Sequence, residues 1–139
     1  MQAMQLKITK SVVAELDRSD FINGLFGLMF PMIIEPAIFA FASRLSCEYQ
    51  GGYWQFYSLG NGGFFMAPDG DVFPVTSENG YTGEMSGDAL GLCACLYAFS
   101  HLSFSEREEL ARRCGEHYRL LYDYVFEHPE SAAILRLID

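Results

Sequence analysis

The chain has 139 residues and a formal net charge of −9, and half of its residues are hydrophobic. This apolar fraction indicates a globular protein rather than a disordered one, and the length fits one domain whose core needs no disulfide or metal. The acidic balance argues against direct binding to nucleic acid, whose phosphates are also negative.

The first part of the chain, residues 1–46, is predicted to be mainly helical. Ser19 or Asp20 can cap a short helix, and a second helix is expected from Met32 to Leu45. The segment Leu6–Leu16 fits either a strand or a helix, so both interpretations stay open there.

One stretch of this first part has the length of a membrane span. Residues 24–43 carry a single charge, on Glu35. Two prolines, Pro31 and Pro36, and a carboxylate in mid-segment count against a membrane helix. A buried pair of short helices, each starting near a proline, is the favoured interpretation.

Residues 52–85 predict an antiparallel β-meander. Short aromatic segments such as Tyr53–Leu59 alternate with turns, and each turn contains Asn or Asp followed by Gly. Because both residues of such a pair tolerate a positive φ, the first pair predicts a type I′ hairpin. The three pairs are Asn61-Gly62, Asp69-Gly70 and Asn79-Gly80.

The third part, residues 86–139, is predicted to be helical. Ser86 can cap a helix with Asp88 in its first turn, and Ser105 with Glu108 predicts a capping box for the next helix. The apolar face of that next helix consists of Leu110, Cys114, His117, Leu121 and Val125. Together the three parts predict an α+β fold, a single compact domain in which a small antiparallel sheet is surrounded by helices.

The sequence contains none of the motifs that mark common catalytic or cofactor sites, so no catalytic residue, cofactor or metal ligand is predicted. The cysteines form no C-x-x-C pair and the first residues are unlike a secretory signal, so buried free thiols in a reducing cytoplasm are expected. Glu35, in an apolar helix, is the best candidate for a general acid, with Glu84 as a second carboxylate. The more ordinary interpretation is that Glu35 faces water or bonds a backbone group.

The negative charge is concentrated in the middle of the chain. Residues 51–104 contain five acidic residues and no Lys or Arg. One interpretation is a sheet whose solvent face happens to be acidic, and another is a surface that docks on a basic, DNA-handling protein. Imitation of DNA is a third interpretation, for which the acidic residues are sparse.

Specific motifs run from about Phe21 to the C-terminus, and the longest lies in the meander. They are Leu25-Phe26-Gly27, Glu35, Gly51-Gly52-Tyr53-Trp54, Phe56-Tyr57, Asn61-Gly62-Gly63-Phe64, Met66-Ala67-Pro68, Gly83-Glu84-Met85-Ser86, Asp88-Ala89, Gly91, His128-Pro129-Glu130, Ala133-Ile134-Leu135 and Ile138-Asp139. On these residues the chain resembles the ArdB/KlcA antirestriction family. It departs from the family pattern at Gly87, where Ala is expected, and at Phe39 and Phe65, where Tyr is expected.

The resemblance implies a small bacterial cytoplasmic protein carried by plasmids, prophages or genomic islands. Such a protein relieves DNA cleavage by type I restriction–modification systems and leaves methylation largely alone. The family fold is α+β, and the family has no established catalytic residues. We therefore expect a protein that is not an enzyme and that acts by protein–protein inhibition.

The expected partner is the type I enzyme or an associated host factor, with no direct contact to nucleic acid or membrane. The oligomeric state stays open. A hydrolase that uses Glu35, and an acidic DNA mimic, are the alternatives. The predicted partner-binding residues are Tyr53, Trp54, Asn61, Asp69, Asp71, Glu78 and Asp88.

Overall fold

The computed structural model describes residues 7–139, and within them it contains five strands and five α-helices. The strands are β1 (Lys10–Val13), β2 (Trp54–Leu59), β3 (Phe64–Pro68), β4 (Phe73–Thr76) and β5 (Thr82–Met85). The helices are α1 (Arg18–Leu25), α2 (Glu35–Leu45), α3 (Gly87–Leu102), α4 (Glu108–Val125) and α5 (Ser131–Ile138). The predicted α+β class is confirmed, as one compact domain with helices around small antiparallel sheets.

The segment that fitted either a strand or a helix forms β1, so the first part of the chain is not entirely helical. β1 pairs antiparallel with β2, from Lys10 opposite Leu59 to Val13 opposite Phe56. Leu6, where that segment begins, lies outside the described residues.

The short helix predicted from Ser19 or Asp20 is present as α1, with Asp17 as its N-cap, and the second predicted helix is present as α2. The two prolines of residues 24–43 do not start two separate helices. A single π-helical turn, Phe30–Ile34, leads directly into α2. Pro31 lies in the first turn of the π-helical segment, where a missing N–H costs no hydrogen bond, and Pro36 lies where this segment passes into α2.

The predicted meander is divided into two sheets. One sheet has the order β1-β2-β3, and the other consists of β4 and β5. The break falls at Gly70, whose φ is 141° and whose carbonyl accepts a hydrogen bond from the Gly87 N–H at 2.9 Å. The chain therefore leaves β3 to pack on the start of α3, and β4 pairs with β5 instead of with β3.

The turn between β2 and β3 is not the type I′ hairpin that Asn61-Gly62 predicted. Of these two residues only Gly62 has a positive φ, of 92°. Asn61 uses its side chain instead: its Oδ1 accepts a hydrogen bond from the Gly63 N–H at 3.0 Å, and its Nδ2 donates to the Leu120 carbonyl at 2.8 Å. A tertiary contact with α4 thus outweighs the local turn preference.

Helix α3 is the centre of the molecule. Nearly every residue from Ala89 to Phe99 is buried, so the helix is apolar all round and not only along one stripe. Its N-cap is Ser86, as predicted, with Oγ accepting a hydrogen bond from the Ala89 N–H at 3.1 Å. A Cβ at Gly91 would lie 2.3 Å from the Cα of Ala67, so glycine allows α3 to pack directly on β3.

Helix α4 begins later than the predicted capping box. Arg107 is its N-cap and makes no side-chain capping bond, while the Ser105 Oγ accepts a hydrogen bond from the Arg107 N–H at 3.1 Å. The predicted inner face is confirmed, since its five residues are all buried.

The core contains free thiols and a neutral histidine. Cys93, Cys95 and Cys114 are buried free thiols as predicted, whereas Cys47 is exposed. The His117 ring lies between aromatic rings, 4.6 Å from the centroid of Phe26, and burial lowers its pKa to about 4. His117 is therefore a packing residue, in agreement with the interpretation from sequence.

Candidate partner-binding surface

Tyr53 is an exposed aromatic residue immediately before β2, with 45% of its surface accessible. Its hydroxyl contacts the Glu15 carboxylate and accepts a hydrogen bond from the Arg18 Nη2 at 2.8 Å. The hydrogen bond to Glu15 raises the pKa of Tyr53. Arg18 also donates to the Trp54 carbonyl at 3.1 Å, so Glu15 and the first residue of α1 fix the position of the Tyr53 ring.

Trp54 is a core residue, and the prediction that it contacts a partner is corrected. Its exposed fraction is 5%, its ring packs edge-on against Phe39 at 5.2 Å, and its Nε1–H donates to the Tyr49 hydroxyl at 2.9 Å. Side chains alternate along a strand, so the neighbour of an outward Tyr53 points inward.

Asp69 and Asp71 are exposed on the turn between β3 and β4. The Asp69 N–H donates to the Tyr53 carbonyl at 3.2 Å, which places this turn beside Tyr53. Neither carboxylate forms an ion pair with any residue from 7 to 139. We name the surface formed by Tyr53, Asp69 and Asp71 the Asp69 edge.

Asp88 adjoins this edge, but its carboxylate is engaged within the protein. It accepts a hydrogen bond from the Lys10 Nζ at 2.9 Å and lies 2.6 Å from the His128 Nε2. Partial burial acts to raise the pKa of Asp88, and the hydrogen bonds from His128 and Lys10 outweigh it and hold the pKa below its ordinary value. The structure therefore gives Asp88 an internal structural role that the sequence did not predict.

Four of the polar motif residues that carried the family resemblance, Ser86, Asp88, His128 and Glu130, form one hydrogen-bond network. The Glu130 N–H donates to the His128 Nδ1 at 2.9 Å, which leaves Nε2 as the nitrogen that donates to Asp88. The Glu130 carboxylate in turn accepts from the Ser86 N–H at 2.9 Å and contacts the Ser86 hydroxyl. The network ties the start of α3 to the segment between α4 and α5.

Asn61 and Glu78 lie outside the Asp69 edge. Asn61 is half-buried at the other end of the β2–β3 ladder and bonds the Leu120 carbonyl. Glu78 follows β4 and pairs with Arg44 of α2 at 3.0 Å. Of the seven predicted residues, the structure thus groups Tyr53, Asp69 and Asp71 with the internally paired Asp88, and it separates the others.

Glu35, the candidate general acid, is half-buried at the start of α2, and burial raises the pKa of its carboxyl. No charged neighbour contributes to this shift, and Glu35 has no side-chain hydrogen bond in the described part of the chain. Glu84 is exposed on β5. Residues 7–139 contain no group of three or more His, Cys, Asp or Glu side chains arranged to hold a metal ion.

The apolar stretch near the start does not form a membrane-spanning helix. Between residues 7 and 139 no single helix is long and apolar enough to cross a membrane. The segments Glu15–Leu25 and Phe30–Leu45 reach that length and apolarity only as a pair, and they are bent by 97°.

Comparison with known proteins identifies the family. The family model described as "Antirestriction protein" matches residues 47–139. The chain belongs to the antirestriction protein family. This antirestriction protein is similar to KlcA of Escherichia coli, with 37% identity over 142 residues that cover both chains completely. It is also 45% identical over 111 residues to YfjX of Escherichia coli K12, covering 76% of this chain and 70% of that protein.

The fold of this antirestriction protein agrees with the family assignment. A solved structure of the KlcA and ArdB proteins matches it with a TM-score of 0.88 and 36% identity over all of both chains. That structure is described as showing antirestriction activity against Type I DNA restriction systems in vivo but not in vitro. The match confirms the resemblance to the ArdB/KlcA family.

Proposed function

We propose that this antirestriction protein relieves DNA cleavage by type I restriction–modification systems and leaves methylation unaffected. The observation that carries the proposal is the full-length similarity, in sequence and in fold, to proteins for which activity against Type I systems is stated. Inhibition of a restriction system protects mobile DNA as it enters a bacterial cell.

The test is transformation of bacteria that carry a type I system with unmodified plasmid, with and without expression of the chain. Expression should raise transformation towards the level of premodified plasmid, and it should have no effect in an isogenic strain that lacks the nuclease subunit. Plasmid recovered from the expressing cells should be methylated at type I sites. Unchanged transformation in a strain that accumulates the folded protein would contradict the proposal.

The mode of action that we propose is binding to a protein, either the restriction enzyme or an associated host factor. For the KlcA and ArdB proteins, activity in vivo but not in vitro suggests that a cellular component is needed. The negative charge of the Asp69 edge supports the proposal of a basic partner, since Asp69 and Asp71 are exposed and have no ion-pair partner between residues 7 and 139. An exposed aromatic ring beside them, Tyr53, is typical of contact surfaces.

Charge reversal tests this surface. The variant Asp69→Lys with Asp71→Lys should fold normally and lose restriction relief, because like charges would then face the basic partner. The matched control, Glu116→Lys with Asp123→Lys, makes the same change in net charge at two exposed positions of α4 and should keep relief. Full relief by the first variant, or equal loss in both, would refute the Asp69 edge as the binding surface.

A hydrolase is the second candidate, favoured by the raised pKa of the half-buried Glu35. A general acid needs a carboxyl that stays protonated near neutral pH, and burial acts in that direction. Glu35→Gln keeps the shape of the side chain and removes the titrating group. Loss of relief in a Glu35→Gln protein of unchanged stability would support the enzyme, and full relief would exclude it.

A further inference from the structure

A groove lined by aromatic side chains runs along α3, bordered by α2 and the end of β4 at one end and by α4 and α5 at the other. It uses no residue of the Asp69 edge. Two adjoining cavities of about 450 and 70 Å³ share Tyr97 and Ser100 along its length. The larger cavity falls in the range of about 300–1,000 Å³ that is usual for ligand sites. We name the two cavities together the Tyr97 groove, whose lining includes Phe41, Arg44, Glu78, Tyr97, Ser100, His101 and Tyr118.

The aromatic rings give the groove a fixed apolar floor. Phe41 and Tyr97 stack with their centroids 5.5 Å apart, and His101 meets Phe41 edge-on at 5.8 Å. The Tyr97 hydroxyl donates to the Leu137 carbonyl at 3.0 Å, which holds the ring in place. Such rings offer large apolar contact area at a low cost in conformational entropy, which suits an aromatic or aliphatic side chain.

One end of the groove carries two opposite charges, Arg44 and Glu78. Arg44 is the only Lys or Arg between Arg18 and Arg107, and its guanidinium lies 5.2 Å from the centre of the Phe41 ring. Its ion pair with Glu78 is solvent-exposed, with 63% and 86% of the two side chains accessible. Exposed pairs of this kind contribute little stability, so a carboxylate from a ligand can replace Glu78 and bind the planar guanidinium.

We propose that the Tyr97 groove binds a short peptide segment of a partner protein in which an acidic residue lies next to an aromatic residue. The aromatic side chain would pack on Phe41 and Tyr97, and the carboxylate would displace Glu78 from Arg44. A nucleotide fits the site less well, because its phosphate carries about two negative charges where a peptide carboxylate carries one, and residues 51–104, with five acidic residues and no Lys or Arg, repel it more strongly. This inference does not depend on the proposed function, since it concerns binding alone.

The test is an NMR titration of the whole ¹⁵N-labelled protein with the capped dipeptide acetyl-Phe-Glu-amide. The backbone amides of Arg44, Tyr97, Ser100 and His101 should shift and saturate at concentrations up to about 10 mM, a range that detects weak binding. Acetyl-Phe-Gln-amide and acetyl-Phe-Lys-amide serve as neutral and reversed-charge controls and should bind more weakly in that order. Absence of saturable shifts with the acidic peptide, or stronger shifts with the lysine peptide or with adenosine monophosphate, would overturn the proposal.

Two substitutions in the groove should change its affinity for the acidic peptide in opposite directions. Arg44→Gln should weaken binding of the acidic peptide by about tenfold, because it removes a charged hydrogen-bond donor. Glu78→Gln should strengthen binding severalfold, because it frees Arg44. The matched control is Arg107→Gln, which removes one exposed positive charge at the start of α4 and should leave affinity unchanged. Equal affinities for all three variants would overturn the assignment to Arg44.

Discussion

Replacing Asp88 with alanine is expected to destabilise the protein by about 2–4 kcal/mol in total. The largest part comes from the buried His128, whose Nε2 lies 2.6 Å from the Asp88 Oδ1 and would lose its hydrogen-bond partner, at a cost of about 1–3 kcal/mol. The half-exposed pair with Lys10 adds less than about 1 kcal/mol, and the interaction of the carboxylate with the start of α3 adds about 0.3–1 kcal/mol.

The assay is urea unfolding followed by the fluorescence of the single tryptophan, Trp54, which is buried. The unfolding midpoint of Asp88→Ala should fall by roughly 1–2 M urea relative to the unsubstituted protein. Asp71→Ala is the matched control, because Asp71 is exposed and unpaired among residues 7–139, and it should change stability by less than about 0.5 kcal/mol.

The pH dependence of this difference follows from the pKa of Asp88, which is lowered in the folded state. The ionised carboxylate stabilises the fold at pH values above its unfolded pKa of about 3.9, and that contribution is lost as the pH falls through the lower folded pKa. The difference between the two proteins should therefore be complete at neutral pH and shrink in strong acid. An Asp88→Ala protein as stable as the unsubstituted one at neutral pH would refute the structural role of the network.

Three further predictions concern packing and protonation. Gly91→Ala should destabilise the protein by about 1–3 kcal/mol, since the new Cβ would lie 2.3 Å from the Ala67 Cα. Gly24→Ala lies in open space within α1 and should stabilise the protein by roughly 0.5–1 kcal/mol. Thermal unfolding measures both variants, and equal changes in stability would contradict the packing described for Gly91. Gly87→Ala introduces the residue expected from the family pattern. It should destabilise the protein by about 1–3 kcal/mol, because the new Cβ would lie 2.1 Å from the Pro68 carbonyl oxygen. An unchanged melting temperature would contradict this and would show that the adjacent turn moves to accommodate the Cβ. Burial lowers the pKa of His117 to about 4, so between roughly pH 6.5 and 4 the unfolded chain takes up a proton on this residue and the folded protein does not; stability should therefore fall by up to about 3 kcal/mol as the pH is lowered over that interval. His117→Leu should reduce this pH dependence. An identical pH dependence in both proteins would refute the lowered pKa of His117.

Local sequence signals predicted the elements of this fold better than their arrangement. Apolar spacing identified α3 and α4, and the capping preference of Ser86 located the start of α3, because these signals act within one or two turns of helix. The aromatic segments separated by Asx-Gly pairs identified the strands. The division into two sheets was missed because it depends on the Gly70 carbonyl bonding the Gly87 N–H, a contact between distant parts of the chain.

The candidate surface was only partly predictable for the same reason. The exposure of Asp69 and Asp71 follows from their place in a turn, which the sequence shows. The pairing of Asp88 with Lys10 joins residues 78 positions apart, and nothing local to Asp88 indicates it. Trp54 carried a specific family motif, yet it lies in the core, so a distinctive motif residue need not be a contact residue.

We propose that this antirestriction protein contacts a protein of the restriction pathway through the Asp69 edge. The most direct measurement is photo-crosslinking in living cells that carry a type I system, with a photoreactive amino acid at position 71 and, as control, at position 116 of α4. Both positions are exposed, so both should be accepted without loss of fold. We expect a specific protein adduct from position 71 and none of this adduct from position 116. The crosslinked protein should be a restriction subunit or a host factor that is required for relief of restriction. Adducts of the same proteins from both positions, or none from position 71 in cells where restriction is relieved, would contradict it.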